Sequence, residues 1–163
     1  MDKIPRIARV TVPGPTALRI KWKQGPTDQV ELAGWIATGG DILSPLSKPD
    51  MFAKAKVADY GSSIAWGDDD DLRIDAVHLE KLAREQRPFG GKDASEWQTE
   101  MRLSNSEVAS FFGIAISTWN TYKAGGVIPA AVAMLCRAAQ RDPLLMHAHF
   151  RPRRTAGRPR KTA

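Results

Sequence analysis

Four consecutive carboxylates, Asp68-Asp69-Asp70-Asp71, form the densest set of potential metal ligands in the chain. With Asp69 as the first position of a calcium loop, Asp71 falls third and Glu80 twelfth. Arg73 then occupies a ligand position and Ile74 the place that requires glycine, so the loop fails twice. An acidic turn between strand and helix is the better reading. His147 and His149 are two residues apart and do not share a helical face, as paired ligands should. His78 reads as an interior or boundary histidine. Cys136 is the single cysteine, so no internal disulfide can form, and its apolar helical surroundings suit a buried thiol in a reducing compartment. Gly39-Gly40 is too short for a phosphate loop, and no nucleophile elbow or dinucleotide fingerprint occurs. The expectation is therefore a protein without enzymatic activity, metal or cofactor.

What remains is the chemistry of charge. The net charge is +6, from 24 Lys and Arg against 18 Asp and Glu. Arg151, Arg153, Arg154, Arg158, Arg160 and Lys161 lie in the last stretch, residues 151–163, which has no acid. The other 18 basic residues balance the 18 acidic ones. A cationic arm directed at a polyanion explains that placement better than general solubility does.

The elements that would carry such chemistry fall into segments by pattern. Up to residue 66 the period is mostly two: Leu18-Arg19-Ile20-Lys21-Trp22-Lys23 alternates apolar and basic, as do Arg9 to Val12 and Lys54 to Val57. Pro13-Gly14-Pro15 and Gln24-Gly25-Pro26 read as turns. A short helix is expected near residues 33–37, and a strand at Ser63 to Trp66, after breakers at Pro45, Pro49 and Gly61. A helix follows over residues 74–83, with Ile74, Val77 and His78 on one face, extended by Leu79 and Leu82, and Asp71 or Asp75 as its cap. Arg87-Pro88-Phe89-Gly90-Gly91-Lys92 is a breaker cluster. The predicted organisation is an α+β domain over 1–87, a linker over 88–92, a helical domain over 93–148 and a basic tail over 149–163. The α+β part is expected to be one small, mainly antiparallel sheet with one or two helices. Arg19, Lys21 and Lys23 share a strand face that would be a solvated surface or a basic patch. No apolar run approaches the ~18 residues of a membrane span, and the amino terminus leads into alternating residues rather than a signal core.

Within the helical domain, Ser104 and Glu107 have capping-box spacing. Val108, Phe111 and Phe112 then give one apolar helical face, and Gly113 ends the helix in a tight turn with Ile114 as a buried plug. A second helix starts near Ala115 and ends before Gly125-Gly126. Two short helices joined by a glycine turn can place the second one in a major groove.

The run from Leu103 to Gly125 resembles the lambda-repressor or Cro-like (XRE-type) helix-turn-helix family in small Ala109, turn Gly113, apolar Ile114, the Ser117-Thr118 pair and the aromatic Tyr122. The likeness continues through Ile128 to Leu135, and Trp97 would belong to the preceding helix. It implies that Asn105 steadies the first helix on the DNA and that Ile116, Ser117, Asn120 and Thr121 face the groove, with Lys123 beside them. Asparagine can bond bidentately to adenine, Ser and Thr to base or phosphate, and Ile can touch a thymine methyl. Trp119 and Tyr122 are expected in the core. The sequence departs from the family in having no cation among the groove-facing positions before Lys123. Residues 93–142 hold four basic and five acidic side chains, so this domain alone should bind DNA weakly.

Gly157-Arg158-Pro159-Arg160-Lys161 resembles an AT-hook, an arm for the minor groove of A·T-rich DNA, although Thr155 and Ala156 stand where a basic residue is usual. Unspecific phosphate contact is the alternative. Either way up to about six phosphates would be engaged, with a salt slope near −0.9 for each. Residues 6–83 resemble, more loosely, a small bacterial domain of unknown function, which implies a compact α+β fold and no activity. That domain could dimerise, bind a small effector or hold a protein partner. The expected function is a bacterial transcriptional regulator: a cytoplasmic, nucleoid-associated homodimer that binds double-stranded DNA. The rival is an interaction module such as an antitoxin, with DNA binding as secondary autoregulation.

Overall fold

The computed structural model describes residues 4–68 and 70–151. The chain is α+β and divides into two compact units, Met1–Arg87 and Pro88–Ala163. No helix among the described residues is long and apolar enough to cross a membrane.

The first unit opens with an antiparallel sheet of β1 (Ile7–Thr11), β2 (Ala17–Trp22) and β3 (Thr27–Glu31), in that order. In β2 the alternation is realised: Leu18, Ile20 and Trp22 are buried while Arg19 and Lys21 are exposed. A second antiparallel sheet is formed by β4 (Ala55–Ala58), β5 (Ser63–Trp66) and β6 (Arg73–Asp75), with β5 central and buried along its whole length. Between the sheets lie three short helices, α1 (Ala33–Thr38), α2 (Gly40–Leu43) and α3 (Pro49–Phe52), and a 3-10 turn at Ser44–Ser47. They deliver Ile36, Leu43, Leu46 and Phe52 to one core with Leu18, Ile20, Val30 and Trp66.

Two expectations are corrected here. One sheet with one or two helices was expected, and the described residues of this unit form two sheets and four α-helices. Pro45 and Pro49 do not break the chain here. Each opens a helical turn at its first positions, where proline's missing N–H is harmless and its fixed φ helps. The helix expected over 74–83 is α4 (Ala76–Gln86), and its buried face is Ala76, Leu79 and Ala83. Ile74 belongs to strand β6, while Val77 and His78 are exposed. The strand runs on to Asp75, whose carboxylate accepts a hydrogen bond from His78 N at 2.8 Å and sets the helical phase one step later.

The second unit is helical: α5 (Gly91–Glu100), α6 (Asn105–Phe112), α7 (Ile116–Lys123), α8 (Ala130–Arg141) and α9 (Pro143–His149). The expected linker at 88–92 is already part of it. Phe89 packs on the core under the Arg137 guanidinium, 5.3 Å from the ring centre, and Asp93 accepts from Gly90 N at 2.7 Å to cap α5. The core is aromatic. Trp97, Phe112 and Trp119 contact one another with ring centres 5.4 to 6.0 Å apart, and Phe111 and Tyr122 close the cluster. Cys136 is fully buried, and burial pushes its thiol up to about 12, so it stays protonated and unreactive.

Candidate nucleic-acid interface

The α6–turn–α7 unit is fixed at both ends. Ser104 Oγ accepts from Glu107 N at 3.3 Å, and Glu107 Oε2 accepts from Ser104 N at 2.8 Å. The Ser104 N–H, helped by the Ser104 side chain, holds the Glu107 carboxyl below its ordinary value. Gly113 ends α6 at φ 67 and ψ 34, left-handed backbone that a side chain resists. The chain turns there and Ile114 N bonds back to Ala109 O at 2.9 Å. Ile114 lodges against the aromatic core.

Helix α7 is then locked from behind. Trp119 is fully buried and its Nε1 donates to Gln98 Oε1 at 2.8 Å. Gln98 Nε2 donates to Leu103 O and to Asn105 Oδ1, each at 3.0 Å. Lys123 Nζ donates to the same Asn105 Oδ1 at 2.6 Å. One glutamine thus ties α5, α6 and α7 together. The far end of α7 is pinned by a close approach, since a Cβ at Gly91 would lie 2.5 Å from Lys123 O. Only glycine fits there.

The opposite side of α7 is open. Ile116 is 41% exposed, and Ser117, Asn120 and Thr121 are exposed beside it, a row set by i, i+3 and i+4 spacing. Thr121 Oγ1 donates to Ser117 O at 3.0 Å, so its proton is used and its lone pairs are left to accept. Asn120 makes no side-chain bond among the described residues, which leaves its amide able to donate and accept at once. The structure therefore brings Ile116, Ser117, Asn120 and Thr121 to one face. Asn105 and Lys123 are half-buried and joined to each other at the edge of that face. With its oxygen held by two donors, Asn105 keeps its NH2 for an outside acceptor. Arg153, Arg154, Arg158, Arg160 and Lys161 lie outside the described residues.

The sequence marks Gly91 only as part of a breaker cluster and gives Gln98 no signal. Gln98 looks like a solvated helix residue in the sequence, and only the placement of Trp119 and Asn105 around it gives it a role. Three acidic groups of the first unit are engaged in ion pairs. Asp70 and Asp59 pair with Arg73 at 2.8 and 2.6 Å, and Asp68 with Lys56 at 3.6 Å.

No protein-family model matches the chain, and no curated protein matches it. Among solved structures the chain is similar to a provisionally named DNA-binding protein from Nitrosomonas europaea ATCC 19718. The identity is 22% and the TM-score 0.47, over 86% of this chain and 90% of that one.

Proposed function

We propose that this protein binds double-stranded DNA with sequence preference and acts as a transcriptional regulator by binding rather than catalysis. One observation carries the reading: the exposed row Ile116, Ser117, Asn120 and Thr121 on a helix whose rear face is locked by Trp119, Gln98 and the Gly113 turn. A helix presenting small polar groups from its first turns is shaped for base edges in a major groove. Asn120 is the discriminating residue, since an unengaged amide can bond bidentately to adenine. Ile116 offers a methyl-sized apolar contact to thymine.

The row has no cation, so affinity must come from elsewhere in the chain. Arg153, Arg154, Arg158, Arg160 and Lys161 supply it in this reading, as phosphate contacts of an arm. A homodimer follows from arithmetic, because one recognition helix reads too few base pairs to single out a site. Such a protein would work on the nucleoid.

Selection from random duplex DNA by the full chain is expected to return a short, palindromic site. Asn120→Ala should then lower the affinity for that site by about 1–3 kcal/mol and relax the preference at one base position only. Recovery of no preferred sequence at low salt sinks the proposal.

A further inference from the structure

Between Ile4 and Thr27 the chain holds Arg6, Arg9, Arg19, Lys21 and Lys23 and no acidic residue. Over Met1–Arg87 the basic and acidic residues number thirteen each, so these cations are segregated rather than surplus. The register of the first sheet draws them into a strip. Lys23 N donates to Arg6 O at 2.8 Å, Arg9 stands opposite Lys21, and Arg19 stands opposite Thr11. On the other flank Thr27 pairs with Lys21 and Gln29 with Arg19. Arg9, Thr11, Arg19, Lys21 and Thr27 line one shallow depression. Ala8, the bulged residue of β1, is what brings Arg9 onto the same face.

Like charges directly opposite each other destabilise a sheet. Here Arg9 faces Lys21, and neither they nor Arg19 make an ion pair among the described residues. The one side-chain contact of Arg19 is to the neutral Gln29 Oε1, at 3.4 Å. A local conflict maintained without internal compensation points to an outside partner. That partner is a polyanion. Protein interfaces centre on apolar side chains and are depleted of charge at the core, whereas this face shows no large exposed apolar side chain from Arg9 to Gln29 among the described residues. Arg19 and Lys21, two strand positions apart, sit about 6.8 Å from each other at ~3.4 Å per residue, far enough apart to take separate phosphates. The threonines and Gln29 add neutral donors of the kind that phosphates accept.

We propose that the β1–β2 strip is a second phosphate-backbone contact, which holds double-stranded DNA without reading its sequence. It extends the DNA-binding reading from the second unit to the first. The test uses the full chain carrying R9Q/R19Q/K21Q, with fluorescence anisotropy on a random-sequence duplex over a salt series. The slope of log K against log salt should become shallower by about 2.7 units, three contacts at ~0.9 each. The selected sequence should not change, and the melting temperature should hold or rise as the Arg9–Lys21 opposition is relieved. The single variant Arg19→Gln, at an exposed position, should shift the slope by about 0.9 and guards against misfolding of the triple variant. If wild type binds duplex and both variants keep its slope, the strip proposal is overturned and the α7 reading stands. If wild type binds no duplex at low salt, both fall. Loss of binding to poly-glutamate with duplex binding intact would make the strip a site for acidic peptides and overturn the proposal as well.

Discussion

The exposed faces of α7 and of the β1–β2 strip differ in chemistry, and in the proposed reading they solve different problems. The α7 row is uncharged and made of hydrogen-bonding groups, and the structure behind it is rigid: a buried tryptophan, a three-way glutamine and a glycine turn. The strip is charged and exposed, its cations placed by the pleat of a sheet with no ion pair to Arg9, Arg19 or Lys21 among the described residues. A hydrogen bond to a base edge fails when misplaced by an ångström, while a charge attracts phosphate over a Debye length of about 8–10 Å. Precision is therefore invested behind α7 and left out of the strip. In the proposed reading, selectivity and affinity can then be altered separately.

The largest break in that comparison is Trp119→Ala. It empties the centre of the aromatic cluster and orphans Gln98 Oε1, and should destabilise the second unit by about 3–5 kcal/mol. Near-ultraviolet circular dichroism and thermal melting would report the loss. Random-DNA selection should then return no preferred site, while salt-dependent duplex binding persists. A variant with a collapsed second unit that still selects the wild-type site would show that α7 is not the reader.

The corresponding break in the first unit is smaller. Asp28 is buried beneath the sheet and accepts from Trp22 Nε1 at 2.7 Å and from Arg87 at 2.8 and 2.7 Å. The Arg87 guanidinium holds its carboxyl below the usual range, helped by Trp22 and opposed by burial, and Arg87 is held correspondingly high. Because the folded value is the lower one, this stability is complete above the unfolded carboxyl's value near about 3.9 and is lost as pH falls through the folded value. Asp28→Asn should cost about 2 kcal/mol, less than a sealed pair would, since the Arg87 side chain is 37% exposed. Urea midpoints should also lose one component of their decline below pH ~4. The strip should weaken with the sheet that carries it, and α7 selectivity should survive. Equal loss of both would mean that the two surfaces are not separable.

How much of this could be read from the sequence follows the range of the forces involved. Local signals were legible. The β2 alternation, the Ser104–Glu107 capping box and the Gly113 turn all follow from neighbours within four residues, while the burial of Trp119 was implied only by the family resemblance. What needed long-range pairing was not. Arg6 and Arg9 join the strip only through the β1–β2 register and the bulge at Ala8, which no period-two pattern announces. Ile74 went to a strand instead of a helix face because Ile64, ten residues away, pairs with it and Ser63 pairs with Asp75. Gln98 needed three helices to be placed before its two ends had partners.

Gly113→Ala tests the turn itself, with the smallest expected effect. A Cβ at Gly113 would meet nothing within 4 Å, so sterics add no penalty beyond the backbone. What remains is the left-handed φ of 67, which costs an alanine about 1 kcal/mol. The melting temperature should drop by a few degrees, with the aromatic core intact by near-ultraviolet circular dichroism. Affinity for the selected site should fall further than that penalty if relaxing the turn tilts α7 out of register with the base edges. Affinity for random duplex, carried by charges that tolerate displacement, should stay at wild-type level. A proportional loss on both DNAs would mean that placement matters equally to the two surfaces, and the division between a placed reader and an unplaced holder would fail.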